Sequence, residues 1–168
     1  MGNAERNKFV VKAITLATVE LLGQEDLSRI TVSQICERAQ VSRNSFYRNF
    51  SSTEDILRKR VASLLQEWHR SYEATESGSD AGLYGSFFRH LQENASCYQL
   101  LQSRGLFHLF RESYLGLFGP KASHSNAEAY VMAFLAGGML AWVEQWMERG
   151  MQESGDQMAT LLRSFGVE

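Results

Sequence analysis

The strongest constraint on the fold lies between Thr31 and Phe50, where the chain reads T-V-S-Q-I-C-E-R-A-Q-V-S-R-N-S-F-Y-R-N-F. Val32, Ile35, Cys36 and Ala39 recur at helical spacing, so a first short helix has one apolar face of small residues that can sit close to a neighbour. Thr31 stands where it can cap that helix. Gln40-Val41-Ser42 then interrupts the period, with Val41 as the apolar pin of a turn and Ser42 as the cap of a second helix running to about Phe50. Phe46 and Phe50 share the inner face of the second helix. Its outward side holds Arg43, Asn44, Ser45, Tyr47, Arg48 and Asn49.

A tight pair of short helices whose outward side carries cations and amides, with no carboxylate, is the grammar of a DNA-reading helix-turn-helix. Guanidinium groups and hydroxyls suit phosphates, and amides and guanidinium groups suit base edges. The net charge of -2 excludes a generally basic coat, but the charge is uneven. Residues 1–74 hold 11 Lys and Arg against 9 Asp and Glu, whereas the remainder holds 6 against 10. Cation excess therefore lies in the half that carries the motif. Between Arg38 and Arg48 there are three arginines and no carboxylate, which suits a phosphate-facing surface.

The segment resembles the N-terminal domain of the tetracycline-repressor (TetR) family, whose pattern is roughly T-x-x-x-I-A-x-x-A-G-V-S-x-x-T-x-Y-x-H-F-x-x-K-x-x-L. Thr31, Ile35, Ala39, Val41, Ser42, Tyr47, Phe50 and, beyond them, Leu57 or its neighbour Ile56 fall in or beside the family's places. Cys36, Gln40, Ser45, Asn49 and Thr53 stand where the pattern has alanine, glycine, threonine, histidine and lysine. Gln40 is the departure that matters most. Glycine supplies a left-handed residue cheaply, so the turn is expected to be strained or differently arranged here. Losing the lysine at Thr53 removes one phosphate contact and lowers the expected salt dependence of binding.

The resemblance implies a homodimer that places two recognition helices in successive major grooves of a pseudopalindromic double-stranded operator, roughly 34 to 36 Å apart. Thr31, Ser42 and Tyr47 would hold phosphates, and Arg43, Asn44 and Ser45 would meet base edges. Arg48 and Asn49 complete the expected DNA-binding set. The effector would be a small molecule of unknown identity, or alternatively a protein docked on the C-terminal half. Repression relieved by ligand is the commoner outcome in the family.

The chain has 168 residues, a single proline (Pro120) and long amphipathic runs with little strict alternation, so an all-α fold is expected. The expected organisation is an N-terminal three-helix helix-turn-helix DNA-binding domain over residues 1–52, followed by a helical regulatory and dimerisation domain over 53–168. Residues 53–75 of the latter form a connecting helix. Glu5 to about Gly23 predicts a first helix with Val10, Ile14, Ala17 and Leu21 on one face. Ser51 to Asp55 offers a cap and an acidic first turn for the connecting helix, whose inner stripe is Leu57, Val61, Leu64 and Trp68. Glu76–Gly82 reads as a loop.

In the second half, aromatic-rich helices bring forward Trp68, Tyr72, Phe87, His90, Phe107, His108 and Tyr114 as candidates to line an effector pocket, although an aromatic stripe at this spacing is usually core. Ser125 or Asn126 caps a long helix to about Arg149 that is apolar nearly all round, so two of its faces must be covered. Ser154 to Gln157 is a capping box for a last helix with the stripe Met158, Leu161, Leu162 and Phe165. By resemblance these last two helices form the dimer interface, for which Phe134, Gly138, Trp142, Trp146, Met158, Leu162 and Phe165 are the candidates.

Other functions find no motif. The four histidines are scattered, and no G-x-S-x-G, H-E-x-x-H or phosphate-cradling glycine loop occurs, so no enzyme, catalytic residue, metal site or cofactor is expected. Cys36 and Cys97 lack metal-ligand spacing and read as buried thiols. Met1 to Lys8 is polar, unlike a signal peptide. The charge-free run Tyr130–Val143 has 14 residues, too few to span a bilayer, and is expected to be a buried helix of a cytoplasmic protein without membrane contact.

Overall fold

The computed structural model describes residues 2–75 and 80–166. Among these residues there are nine α-helices and no strand: α1 (Asn3–Gln24), α2 (Val32–Ala39), α3 (Arg43–Asn49), α4 (Thr53–Thr75), α5 (Asp80–Glu93), α6 (Ala95–Ser103), α7 (Phe107–Phe118), α8 (Asn126–Glu148) and α9 (Gly155–Ser164). The chain divides into two compact units, Met1–Val61 and Ala62–Glu168, and the division falls inside the continuous helix α4. Residues 76–79 of the expected loop lie outside the described residues, and α5 already begins at Asp80, so helix replaces the loop's last three residues.

In the first unit, α1 lies against α2 and α3. Ile14, Ala17 and Leu21 are buried as their spacing requires, together with Thr18 and Leu22, whereas Val10 is half-buried. The Thr18 hydroxyl donates to the Ile14 carbonyl at 2.8 Å, which satisfies a buried polar group inside its own helix. Ile35, Cys36, Phe46, Phe50, Ile56, Leu57 and Val61 complete this core.

The end of α2 explains the unusual residue at the turn. Gln40 is left-handed, with φ 54° and ψ 44°. Its N–H donates to the Glu37 carbonyl at 3.1 Å, while the Val41 N–H donates to the Cys36 carbonyl at 3.0 Å. These two bonds satisfy carbonyls that a helix end otherwise leaves open, and they require the left-handed residue between them. The fold keeps the turn and bears the strain of a side chain there. Gln40→Gly is therefore expected to raise stability by about 1 kcal/mol. A urea midpoint unchanged or lowered by the substitution would show that the glutamine costs nothing.

In the second unit, α5 lies chiefly against α9, and α8 meets α7 and α6. Their shared core contains Phe87, Phe88, Leu91, Tyr98, Leu101, Leu109, Phe110, Leu140 and Val143. Ser125 and Ser154 cap α8 and α9 as expected. In each, the serine oxygen accepts from the backbone three residues on, while the Glu128 or Gln157 side chain accepts from the serine N–H at 2.7 Å.

Helix α8 departs from the expectation of a buried helix. Ala136, Met139, Leu140, Val143, Trp146 and Met147 face inward, but Tyr130, Val131, Phe134 and Leu135 are exposed. It is the one helix among the described residues long and apolar enough to cross a membrane, and only 22% of its most apolar stretch is buried. The apolar circumference is thus shared between an inner face packed in this chain and an outer face that is open in it.

Candidate functional site

The α2–α3 pair is fixed by short-range bonds. The Thr31 hydroxyl accepts from the Gln34 N–H at 3.3 Å, and Gln34 Oε1 accepts from the Thr31 N–H at 2.7 Å. Gln34 Nε2 also donates to Glu25 Oε1 at 3.2 Å, which ties this cap to the end of α1. Ser42 Oγ accepts from the Ser45 N–H at 3.1 Å, so both cap roles expected from the sequence are present. Arg43 Nη2 donates to Ser33 Oγ at 2.6 Å, joining the first turns of the two helices. Phe46 and Phe50 are buried beneath α3 and pack ring to ring at 6.0 Å.

What α3 leaves outward is Arg43, Asn44, Tyr47 and Arg48, all exposed, with Ser45 half-buried. Tyr47 is 61% exposed and rests edge-on against Phe46 at 5.2 Å, so its ring is held while its hydroxyl stands at the surface. Thr31 and Ser42 are also exposed. Two residues are more constrained than their types suggest. Asn49 is half-buried and gives its amide to the Ser45 carbonyl at 2.9 Å. Arg38, one of the three arginines of the carboxylate-free run, is paired with Glu20 of α1 at 2.7 Å. That carboxylate lies eighteen residues upstream, so the run looked uncompensated in one dimension only. Lys59 donates to the Asn49 carbonyl at 2.8 Å and closes the C-terminal end of α3, a tertiary cap that periodicity could not reveal. Burial pushes the Cys36 thiol up, against a smaller opposing pull from Arg43, which suits a packing residue.

The aromatic residues expected to line a pocket mostly fill the core instead. Trp68 and Phe87 approach to 4.9 Å, Phe87 and Tyr114 to 5.5 Å, and Phe107 and Phe110 to 5.3 Å, and all five are buried. Tyr72 is half-buried and stacks on Trp68 at 6.4 Å. His108 is exposed on α7, because the helix turns Leu109, Phe110 and Tyr114 inward and so turns position 108 out.

A cavity of about 390 Å³ lies instead along α4 and α5. Its apolar wall is Leu64 and Trp68, its charged groups are Glu67, Arg89 and Glu93, and Ser71, Ser86, His90 and Asn94 complete it. Of the expected pocket residues only Trp68 and His90 belong to it; the polar members were missed because they sit on the outward sides of their helices. Trp68 Nε1 donates to Ser86 Oγ at 2.9 Å across the two helices. His90 Nε2 lies 3.0 Å from the Tyr98 hydroxyl, and Asn94 donates to the His90 carbonyl at 3.0 Å.

Burial lowers the His90 pKa to about 4, against a small opposing effect of Glu67. The folded protein thus keeps this ring neutral while the unfolded chain protonates near the ordinary value. Stability should be fully present above about pH 6.5 and should fall as the pH drops toward 4, by about 2 kcal/mol at pH 5. Urea midpoints at pH 7.5 and 5 measure this slope. His90→Gln should flatten it, and an unchanged slope would assign the loss to other groups.

The expected interface residues divide. Phe134 is 80% exposed and Phe165 73%, and Gly138 is exposed. Trp142 is half-buried, meeting Phe165 edge-on at 5.8 Å. Trp146, Met158 and Leu162 are instead buried within the chain itself, with Trp146 edge-on to Phe88 at 5.6 Å.

A capped pair of short helices, joined by a left-handed turn and carried on an all-α scaffold, defines a helix-turn-helix protein with its second helix turned outward. Residues 14–59 match the sequence profile of bacterial regulatory proteins of the tetR family, and residues 82–165 match that of a transcriptional regulator C-terminal region. The chain belongs to the tetR family, and it is accordingly a DNA-binding transcriptional regulator. No curated protein matches its sequence.

Among solved structures, Lin0861 from Listeria innocua is similar at 16% identity and a TM-score of 0.76, covering 99% of this chain and 93% of that one. A TetR transcriptional regulator from Streptococcus agalactiae 2603V is similar at 17% identity and a TM-score of 0.65, covering 96% of each chain. The dihydroxyacetone kinase operon activator DhaS is similar at 19% identity and a TM-score of 0.58, covering 93% of each chain. At these identities the likeness is one of fold.

Proposed function

We propose that this regulator binds a pseudopalindromic operator as a homodimer and acts as a ligand-responsive repressor in the cytoplasm. The observation that carries the reading is the outward side of α3: Arg43, Asn44, Tyr47 and Arg48 are exposed together, without a carboxylate, on a helix anchored by buried Phe46 and Phe50. Thr31, Ser42 and Tyr47 hold phosphates, Arg43, Asn44 and Ser45 meet base edges, and Arg48 and Asn49 flank them. Residues 1–52 are the DNA-binding domain, and residues 53–168 the effector-binding and dimerisation domain.

The open outer face of α8 supports a second copy as partner. Tyr130, Val131, Phe134 and Leu135 lie exposed along it, and Leu161 of α9 and Phe165 just after it are exposed as well. Trp142, half-buried beside this face, meets Phe165 edge-on at 5.8 Å, so the open apolar surface runs on from α8 to the end of α9. An effector in the second domain acts through α4, shifting the balance between dimers whose recognition helices match the operator spacing and dimers whose helices do not.

The test is selection of bound fragments from random duplex DNA, followed by titration of the best fragment at fixed salt. One inverted repeat should be enriched, and Arg43→Ala should weaken its binding by roughly 1 to 3 kcal/mol while relaxing preference at one base position. Weak binding indifferent to sequence would sink the operator reading. Since DhaS is described as an operon activator, the sign is read separately: transcription from the selected operator should fall when the protein is added, and a rise would overturn repression.

A further inference from the structure

We propose that the cavity along α4 and α5 binds an organic cation, an ammonium group carried on an apolar body, with Glu67 and Glu93 as its counter-charges. The inference names the ligand class of the effector site and rests on the reading above only for its consequence at DNA. The cavity's 390 Å³ falls within the roughly 300 to 1,000 Å³ usual for small-molecule sites. Its two carboxylates come from two different helices, Glu67 from α4 and Glu93 from α5.

Charge in the lining is one-sided. Neither carboxylate has a lysine or arginine partner among the described residues, and Glu67 accepts only from the Ser63 hydroxyl, at 2.6 Å. The single lining cation, Arg89, is held by Asp156 of α9 at 2.9 Å. His90 contributes no positive charge at neutral pH, since burial keeps its ring neutral. The lining and its immediate partner therefore carry uncompensated negative charge beside an apolar wall of Leu64 and Trp68.

A bare metal ion fits this arrangement poorly. No three His, Cys, Asp or Glu side chains among the described residues come together as metal ligands. The negative charge is spread across a space many times an ion's volume, and an apolar wall offers a metal nothing. A ligand with a hydrocarbon part uses both features, because its body covers Leu64 and the Trp68 edge while its ammonium group meets the carboxylates.

Calorimetric titration of the full-length protein at pH 7.5 tests this with 2-phenylethylammonium and spermidine as cations, and with 2-phenylethanol and 3-phenylpropanoate as neutral and anionic counterparts. At least one cation should bind about tenfold tighter than both counterparts, a preference expected from two partly exposed charges. Glu67→Gln and Glu93→Gln, both at exposed positions, should each reduce it about threefold, and the double variant should abolish it. Equal or tighter binding of the neutral or anionic compound would overturn the proposal. So would the absence of binding by either cation, or a preference that survives the double substitution. Operator binding measured on the same preparation separates the two readings: a protein that binds its selected repeat but no cation loses this inference alone, whereas cation binding without operator binding strikes the regulator reading.

Discussion

Gly155→Ala is expected to destabilise the protein by roughly 2 to 3 kcal/mol, because the added methyl has nowhere to go. A Cβ at Gly155 would stand 2.7 Å from the Arg89 nitrogen, 2.8 Å from the Phe88 carbonyl carbon and 3.0 Å from the Arg89 Cα. All three are backbone atoms of α5, so no side chain can swing aside. Helix propensity alone predicts the opposite sign, since alanine in the first turn of α9 is favoured over glycine by about 1 kcal/mol. The steric term wins because α9 must lift from α5 along the seam where the Gly155 N–H meets Gln92 Oε1 at 2.9 Å and Arg89 meets Asp156. Gly23→Ala is the control: near the end of α1 a Cβ would meet nothing within 4 Å, and stability should rise by about 0.5 to 1 kcal/mol. Urea unfolding of both variants decides the matter, and a neutral or stabilising Gly155→Ala would mean that the seam can open without cost.

The features that short stretches of sequence disclosed are those that short-range chemistry fixes. Thr31, Ser42, Ser125 and Ser154 all cap helices, since each cap needs only a hydroxyl and a backbone N–H three residues on. The strain at Gln40 could be anticipated for the same reason, because the turn's hydrogen bonds lie within six residues. Burial of Ile35, Phe46 and Leu57 followed from periodicity. The partner of Arg38 did not, because Glu20 reaches it only when α1 is laid on α2. The cavity was hidden for a related reason: the inward aromatics Phe87 and Tyr114 pack against one another, while Glu67 and Glu93, which belong to no apolar stripe, border the open space.

The last two helices show where one-dimensional reading stops. The all-round apolar character of α8 required two covered faces, yet periodicity cannot divide those faces between this chain and a partner. The same stripe on α9 supplies Met158 and Leu162 to the protomer interior and leaves Leu161 and Phe165 outside. Trp146 and Trp142, one helical turn apart, fall on opposite sides of that division, Trp146 buried at 2% exposure and Trp142 only half-buried. The division itself is a tertiary fact, set by how α8 rolls against α6 and α7.

Phe134→Glu should convert the proposed dimer to monomer at micromolar concentration without unfolding the chain. At 80% exposure the ring contributes little to the protomer's own core, so helical content and thermal unfolding of the monomer should be retained. In a two-fold contact the substitution acts on both subunits: two phenylalanines lose a burial worth about 1.5 to 3 kcal/mol each, and two carboxylates would otherwise enter an apolar interface. The expected loss exceeds about 3 kcal/mol, or more than a hundredfold in the dimer dissociation constant. A membrane contact is the competing account of the same surface, but α8 already commits its inner face to Leu140, Val143 and Trp146 packing, and Glu144 pairs with Arg111 at 3.3 Å. Such a helix is better suited to a partner of similar shape than to lipid on all sides. Sedimentation velocity of wild type, Phe134→Glu and the control Phe9→Glu, whose ring is 65% exposed in the first unit, separates the cases. A dimer lost only in the α8 variant, with binding to the inverted repeat lost beside it, supports the interface. A wild type that sediments as a monomer, or a dimer indifferent to Phe134→Glu, would place the contact elsewhere and remove the reason for a two-fold operator.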